Sequence, residues 1–371
     1  MNNFDPEVMN TLRFVGEKFR LKGELESYEL ITHGNINTTY SVKYKNPDKS
    51  YIFQRVNTYV FREPVEIMKN IDMVTEHIRG KQTDERVPAL HYHHTDDGKN
   101  YCFGEKGNFW RVSNSFDALT YQASSDPEVL RQAGRAFGEF QKNLSDFDAS
   151  LLFETIPNFH NTKKRLEGFF ENVEKDEYGR VSEVKAEIEF IRSHREIAEK
   201  LNILLENGII PKRVTHNDTK INNVLFNKET GEPLVVIDLD TVMPGLAAHD
   251  FGDAVRFAAN TAAEDQKDLS KVSFNLDLYR GFAEGFISAA ADILTPEEID
   301  TMALGALTIA IELGMRFLDD YITGDKYFKT RYEGHNLVRT RCQLALAADM
   351  EKKFDEMNKI VKDTADRIIK N

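Results

Sequence analysis

Alternating apolar and polar residues in the first third of the chain predict β-strands. Residues 40–44 and 51–55 alternate in this way on either side of a turn-forming segment at 46–49. Residues 87–92 and 108–112 have a similar strand-like composition. We expect these segments to form a small antiparallel sheet, because short turns separate them.

Apolar residues at intervals of three and four predict helices elsewhere. One helix begins at Pro64 and carries an apolar stripe to Ile78, inserted between the strands. Longer stripes cover residues 130–147 and 183–206, and the last hundred or so residues are mostly helical. Only residues 214–238 interrupt this part with strands. The pattern therefore predicts an α+β protein with a small sheet lobe containing one helix and a larger, mainly helical lobe.

The chain length favours two lobes over a single core. With 371 residues the chain exceeds the usual size of one hydrophobic core. The pattern changes from strands to helices near Ser113–Asp117, with no low-complexity linker. We therefore expect an N-terminal lobe over residues 1–112, a C-terminal lobe over residues 113–371, and a tight hinge between them.

Composition narrows the possible partners. The formal charge of 48 − 61 = −13 disfavours nucleic-acid binding, which selects for basic surfaces. Cys102 and Cys342 are too few and too far apart for a disulfide framework or a Cys/His metal site. No basic, apolar leader is evident, and the apolar stretch at 302–311 is too short for a membrane span and is followed by Glu312. We expect a soluble cytoplasmic protein without a membrane partner.

The residues that suggest chemistry follow two short apolar segments. His216, Asp218 and Asn223 come after Val214, and Asp238 follows a second apolar run. Phosphoryl transfer from Mg-ATP needs a carboxylate that accepts the proton of the attacking hydroxyl, and oxygen ligands for Mg2+. Asp218 suits the first role, and Asn223 and Asp238 suit the second. The alternative is an Asx-rich surface turn, but the combined spacing favours a phosphotransferase.

The same spacing resembles a known superfamily. His216-x-Asp218, Asn223 and Ile237-Asp238 are similar to the motifs of the aminoglycoside phosphotransferase and choline kinase superfamily, which is related to protein kinases. Further segments resemble the N-acetylhexosamine 1-kinase family, in order from about residue 30 to 345; they are residues 34–40, 214–220, 237–245, 250–253, 314–317 and 335–341.

The resemblance implies a protein-kinase-like two-lobed fold and an ATP- and Mg2+-dependent sugar kinase. Asp218 would take the proton from the anomeric 1-hydroxyl of N-acetylglucosamine or N-acetylgalactosamine, and Asn223 and Asp238 would ligate Mg2+. His216 would be a scaffold residue of the catalytic loop. Two roles stay open: Asp240 would either support a ligand or touch the substrate, and Asp250 would brace the loop or cap a helix starting at Phe251.

The turn around Gly34 is the candidate nucleotide site. Gly34 would allow the backbone to approach the phosphates, and Asn37, Thr38 and Thr39 would add donors. A plain hairpin turn is the alternative. Asn35 stands where the family has a histidine near the sugar, so we expect Asn35 to contact the substrate and to affect which sugar is preferred.

Three further positions are candidate ligand contacts. Gln54 or Arg55 occupies the strand position at which kinases hold the ATP phosphates with a basic residue, and alternation allows only one of them to face the cleft. The resemblance points to Arg316 and Tyr327 for the sugar. An ion pair of Arg316 with one of Asp319–Asp320 is the alternative.

Two other functions remain open. Another small-molecule kinase of the superfamily would use choline, homoserine or an aminoglycoside as its acceptor. A nucleotide-binding pseudokinase is disfavoured because Asp218, Asn223 and Asp238 are all present. We expect the ligands to be a sugar and ATP, whereas the preferred hexosamine, the choice of ATP over GTP and the oligomeric state do not follow from the sequence.

Overall fold

The first part of the chain forms an antiparallel sheet of five strands. A computed structural model describes residues 4–32, 36–82 and 88–369. The strands are β1 (Glu24–Ile31), β2 (Thr38–Lys45), β3 (Lys49–Arg55), β4 (Cys102–Phe103) and β5 (Phe109–Asn114). Their order in the sheet is β1-β2-β3-β5-β4, and every neighbouring pair is antiparallel. The predicted antiparallel sheet is confirmed.

Two helices accompany this sheet. Helix α2 (Pro64–Lys81) begins at the predicted proline. Helix α1 (Pro6–Lys18) was not predicted; it is capped by the Asp5 side chain, and Leu12 and Val15 bury themselves against the sheet.

One predicted strand is absent. Of residues 87–92, the described part from 88 onward forms only an isolated bridge between Tyr92 and Ser113. The Asn114 side chain takes the place of the backbone ladder here. Its Oδ1 accepts the His91 N–H at 2.9 Å, and its Nδ2 donates to the Ala89 carbonyl at 2.9 Å. A side-chain amide therefore replaces the continuous backbone pairing that a strand needs.

The rest of the chain is mainly helical, as predicted. Its helices are α3 (Pro127–Asn143), α4 (Thr162–Lys175), α5 (Lys185–Ser193), α6 (Arg195–Glu206), α7 (Ala247–Ala258), α8 (Leu276–Ala290), α9 (Pro296–Ile322), α10 (His335–Lys352) and α11 (Phe354–Ile369). Two short antiparallel pairs lie between α6 and α7; β6 (Arg213–Thr215) pairs with β9 (Met243–Gly245), and β7 (Val224–Phe226) pairs with β8 (Pro233–Val236).

Two predicted helices have different limits. The stripe at 130–147 becomes α3, which ends at Asn143, although Phe147 still packs against the core. The stripe at 183–206 becomes two helices that meet at His194. Ser193 and His194 both direct side-chain donors at the Phe190 carbonyl, at 2.9 and 2.6 Å, and this competes with the regular helical pattern.

Helices α3 and α8 pack with their backbones in direct contact. A methyl group at Gly134 or Gly138 of α3 would overlap the backbone of Phe282 or Phe286 in α8. Glycines of α8 meet the α3 backbone in the same way. Only glycine permits so close an approach, so this interface fixes how the two helices lie against each other.

Helix α9 is the central helix of the large core. By length and composition alone it could cross a membrane, but 89% of its most apolar window is buried inside the protein. Burial explains its apolar character, because a core helix is apolar on all sides.

Candidate active site

His216 organises the loop that follows β6. Its ring is fully buried, and its Nε2 donates a hydrogen bond to the Ile237 carbonyl at 2.9 Å. In that tautomer its Nδ1 accepts the Asp218 N–H at 3.2 Å. Both ring nitrogens are therefore engaged within the loop, which is the arrangement expected of a scaffold residue.

Asp250 supports the same loop from helix α7. Its carboxylate accepts the backbone N–H groups of His216 and Asn217 at 2.9 and 2.8 Å, and Gln141 of α3 donates to it at 2.9 Å. Burial raises the pKa of Asp250, against the opposing effects of His216 and the donors. Of the two predicted roles, the bracing contact is observed. The capping role is wrong, because α7 begins at Ala247 rather than at Phe251.

Asp218 and Asn223 meet, as their spacing suggested. The Asn223 amide nitrogen donates to the Asp218 carbonyl at 2.8 Å and lies 3.4 Å from the Asp218 carboxylate. Because the nitrogen of the amide points to Asp218, its oxygen is directed elsewhere and is available to a cation. A one-turn 3-10 helix at Ile221–Asn223 brings the amide back toward the aspartate.

Lys220 is a residue of the site that the sequence argument overlooked. Its Nζ lies 2.7 Å from Asp218 Oδ1. Partial burial alone would lower the pKa of Lys220, but Asp218 and Asp253 raise it, so the side chain stays cationic. The available signal was its position two residues after Asp218, on the same side of an extended segment.

Asp238 faces the cavity from the turn after β8. It adopts a left-handed backbone conformation with φ 62°. Burial of the carboxylate, with Asp240 and Asp218 nearby, raises the pKa of Asp238 to about 6. A carboxylate crowded by other carboxylates is suited to a divalent cation, and Asp238 with the Asn223 oxygen offers the hard ligands that Mg2+ prefers.

Asp240 is occupied by the N-terminal lobe. It forms a buried ion pair with Arg111 of β5, and its other oxygen accepts the Asn37 side-chain N–H at 2.7 Å. Both charged side chains are almost fully buried, at 1% exposure for Arg111 and 4% for Asp240. Asp240 thus joins the catalytic segment to the sheet.

The strand position expected to hold a basic residue carries Gln54. Gln54 lines the cavity, whereas Arg55 is exposed and donates to Thr38 at 3.2 Å. Arg111 lies opposite Gln54 in the sheet and donates from Nε to the Gln54 side-chain oxygen at 2.9 Å. The buried cation near this position is therefore Arg111 of the neighbouring strand β5, and Gln54 is the side chain that lines the cavity.

The predicted nucleotide turn is described only in part. Gly34 and Asn35 lie outside the described residues. Asn37 is engaged at both ends of its amide, since its oxygen also accepts the Asn57 N–H at 3.0 Å. The hydroxyls of Thr38 and Thr39 accept hydrogen bonds from β3, the second from Gln54 at 3.1 Å.

One cavity of about 640 Å³ brings most of these residues together. Asn37, Thr39, Asp218, Asn223 and Asp238 line it, as does Arg316. The carboxylates of Asp253, Glu264 and Glu312 also line it, and beside them lie four arginines from α7, α9, α10 and the segment before α10, which we call the arginine wall. They are Arg256, Arg316, Arg331 and Arg339.

The two predicted sugar contacts have different surroundings. Arg316 makes no ion pair with Asp319–Asp320. Asp320 instead accepts backbone N–H groups of residues 326–328, and Asp319 accepts the Asn172 amide. Tyr327 is 70% exposed and is not among the residues that line the cavity.

Comparison with known proteins identifies the family. Residues 27–282, well over half of the chain, match the phosphotransferase enzyme family known as APH. The chain belongs to this family. The match includes most of the sheet, the His216 loop and Asp238, whereas Arg316, Tyr327, Arg331 and Arg339 lie beyond it.

Solved structures show the same fold at low sequence identity. A microcompartment-associated aminopropanol kinase has a TM-score of 0.60 at 15% identity, covering 95% of this chain and 98% of its own. An aminoglycoside phosphotransferase from Alicyclobacillus acidocaldarius gives 0.60 at 11% identity, with 99% and 98% covered. A choline kinase from Cryptosporidium parvum gives 0.56 at 14% identity, with 97% and 99% covered. The phosphotransferase therefore has the two-lobed, kinase-like architecture expected from its sequence.

Proposed function

We propose that this phosphotransferase transfers the γ-phosphoryl group of ATP to the anomeric hydroxyl of an N-acetylhexosamine. The proposal rests on the resemblance to sugar 1-kinases and on the character of the cavity. The family alone leaves the acceptor open, because the related structures include kinases named for aminopropanol and choline.

The arginine wall is the observation that favours a sugar. Aminopropanol, choline and aminoglycosides are cations, and a site for them gathers carboxylates or exposes aromatic faces. In this cavity the faces of two phenylalanine rings, Phe159 and Phe328, are already taken by Arg316, at 5.6 and 5.5 Å. The cavity also holds Asp253, Glu264 and Glu312, which pair with Arg256, Arg339 and Arg165. Arg316 and Arg331 form no ion pair with these carboxylates, and their N–H groups suit sugar hydroxyls and an acetamide oxygen.

The chain's own residues supply the chemistry of transfer. Asp218 accepts the proton of the anomeric hydroxyl and aims its oxygen at the phosphorus. Lys220 holds the Asp218 carboxylate in place and adds positive charge where the transferring group becomes negative. Asn223 and Asp238 would hold Mg2+, which neutralises phosphate charge when bound. Transfer is direct and in line, with no phosphorylated enzyme.

ATP consumption with a panel of acceptors tests the proposal. N-acetylglucosamine and N-acetylgalactosamine should be phosphorylated, and aminopropanol, choline and an aminoglycoside should not. Asp218→Asn should abolish turnover while ATP still binds, and the surface variant Asp292→Asn, which loses only an exposed pair with Lys142, should match wild type. Turnover of an amino alcohol without turnover of any sugar would make the substrate assignment wrong. ATP binding without turnover of any acceptor would instead support a pseudokinase.

A further inference from the structure

Two guanidinium groups of the arginine wall, those of Arg316 and Arg339, pack on aromatic rings. Arg316 lies between Phe159 and Phe328, and Arg339 lies over Phe317 with its guanidinium carbon 5.1 Å from the ring centre. A ring face fixes the plane of a guanidinium and leaves the N–H donors on its edge unused.

Two arginines of the wall have donors without a partner among the described residues: Arg316, which packs on rings, and Arg331, which is exposed. Within the described part of the chain, the side chains of Arg316 and Arg331 make no hydrogen bond and no ion pair. Both line the cavity. Their hydrogen-bonding capacity is therefore directed at the space that the acceptor would fill.

The other two arginines are only partly satisfied. Arg256 and Arg339 share Glu264, at 3.7 and 3.6 Å, and Arg256 also contacts Asp253 at 3.0 Å. The Nε atoms of Arg256 and Arg339 are buried without a hydrogen-bond partner among the described residues. The Arg256 side chain is only 5% exposed, and a buried, unsatisfied charged donor is costly unless a ligand completes it.

Glu312 also lines the cavity, and its direct hydrogen-bond and ion-pair partners lie outside the arginine wall. Glu312 accepts His160 at 2.9 Å and Thr162 at 2.6 Å, and it lies 3.8 Å from Arg165. Burial alone would raise the pKa of Glu312, but His160, Arg165 and Arg316 hold it well below its ordinary value. Glu312 thus offsets part of the charge of Arg316 without a direct ion pair, and Glu264 lies between Arg256 and Arg339.

The arginine wall connects directly to the catalytic residues. Asp253 accepts the Thr219 N–H at 3.1 Å and contacts Arg256, and Asp218 binds Lys220 at 2.7 Å. The ion pair between Asp253 and Arg256 therefore links the catalytic loop to the arginine wall. A molecule that presents its hydroxyl to Asp218 can reach the wall with another part of its structure.

We infer that the arginine wall binds an oxyanion carried by the acceptor, either a carboxylate or a phosphate ester. The inference rests on the proposed function and narrows its substrate class to acidic N-acetylhexosamines. Guanidinium groups bind both oxyanions in a two-point geometry, with charge-assisted hydrogen bonds. A neutral sugar would leave part of this positive charge unmatched, in a chain whose formal net charge is −13.

Acceptor kinetics separate the two oxyanion sources. We would compare N-acetylglucosamine with its 6-phosphate and with its 3-O-lactyl ether, which carries a carboxylate. At least one acidic acceptor should have a kcat/KM about tenfold or more above the neutral sugar, mainly through a lower KM, since one charge-assisted hydrogen bond is enough for a tenfold change. The arm that shows the gain identifies the phosphate or the carboxylate as the group recognised.

Arginine variants then locate the effect. Arg331→Gln and Arg339→Gln should each reduce the advantage of the acidic acceptor about tenfold relative to the neutral one. Arg341→Gln is the matched control, because Arg341 lies on the same helix as Arg339 but pairs with Glu187 at 2.6 Å outside the cavity. It should leave both acceptors unaffected.

Three results would overturn the inference. The first is equal or better kinetics with the neutral sugar. The second is an equal loss for both acceptors in Arg331→Gln, and the third is a rise in KM confined to ATP, which would assign the wall to the nucleotide. If no sugar is phosphorylated, the proposed function fails. Calorimetric binding of the acidic and neutral sugars to wild type and to a variant that combines Arg331→Gln with Arg339→Gln still decides the inference, which fails if the acidic sugars bind no tighter to wild type.

Discussion

The buried pair between Arg111 and Asp240 leads to the sharpest prediction for stability. In Arg111→Met the new side chain has a similar length and stays apolar, but Asp240 loses its cation. Asp240 is 4% exposed, so water cannot replace the guanidinium. Asn37 still donates one hydrogen bond to it.

The magnitude follows from that burial. Removing one partner of a buried pair costs about 3–5 kcal/mol, because an uncompensated charge remains. The hydrogen bond from Asn37 stabilises the remaining carboxylate, so we expect about 3 kcal/mol, at the lower end. Arg111→Met combined with Asp240→Asn removes both charges and should recover most of the loss, since replacing a whole buried pair is often nearly neutral.

Urea unfolding of the single and double variants measures this coupling. Arg55→Met is the matched control, because Arg55 lies on the adjacent strand, is exposed, and makes one hydrogen bond to Thr38. It should cost no more than about 0.5 kcal/mol. The KM for ATP should also rise in Arg111→Met, since Arg111 orients Gln54 in the cavity wall.

Either of two results would show that Arg111 and Asp240 do not form a coupled, buried pair. A loss below about 1 kcal/mol in Arg111→Met would mean that water reaches Asp240. A double variant as unstable as the sum of the two single variants would mean that the two charges do not interact.

Three further predictions concern the C-terminal half. Burial lowers the pKa of His249 to about 3, so below its ordinary value of 6.5 only the unfolded chain takes up a proton. Stability should then fall by about 1.4 kcal/mol per pH unit as the pH drops from 6.5 to 5. His249→Phe should remove that slope in urea unfolding, and an unchanged slope would contradict the assignment. Gly305→Ala should lower the free energy of unfolding by about 1–3 kcal/mol, because its methyl group would overlap the Ala248 carbonyl. Gly168→Ala, where the space is open, should raise it by up to about 1 kcal/mol. Equal shifts of the two variants in thermal unfolding would contradict this packing explanation. Asp250→Asn should lower kcat by up to about a hundredfold, with little change in the KM for ATP, because the His216 loop loses a charged acceptor. An unchanged kcat in steady-state kinetics would show that the loop keeps its conformation without the Asp250 carboxylate.

The sequence was informative wherever chemistry and spacing act locally. Asp218 and Asn223 are five residues apart, and a tight turn is enough to bring them together, as observed. Helix α2 likewise follows from its proline and its apolar stripe. The kinase-like architecture followed from several such segments occurring in the right order.

The missing parts depend on distant contacts. Arg111 resembles a solvated strand residue until Asp240, 129 positions later, folds against it. The missing strand at 88–92 reflects the Asn114 side chain, which accepts the His91 N–H and donates to the Ala89 carbonyl. The break at His194 is local instead, since Ser193 and His194 direct side-chain donors at the Phe190 carbonyl. For Tyr327 the resemblance suggested a sugar contact, but it could not indicate that the side chain is 70% exposed, and the contact stays a prediction.

The glycine contacts between α3 and α8 make the cleft sensitive to changes made far from it. Gln141, which holds Asp250, lies one turn beyond Gly138 on α3. A small displacement of this helix would move Gln141 away from the catalytic loop even though every residue of the cavity stayed the same. Random mutagenesis should therefore yield inactive or temperature-sensitive proteins with changes at Gly134 and Gly138. Efforts to alter acceptor preference should leave that interface untouched.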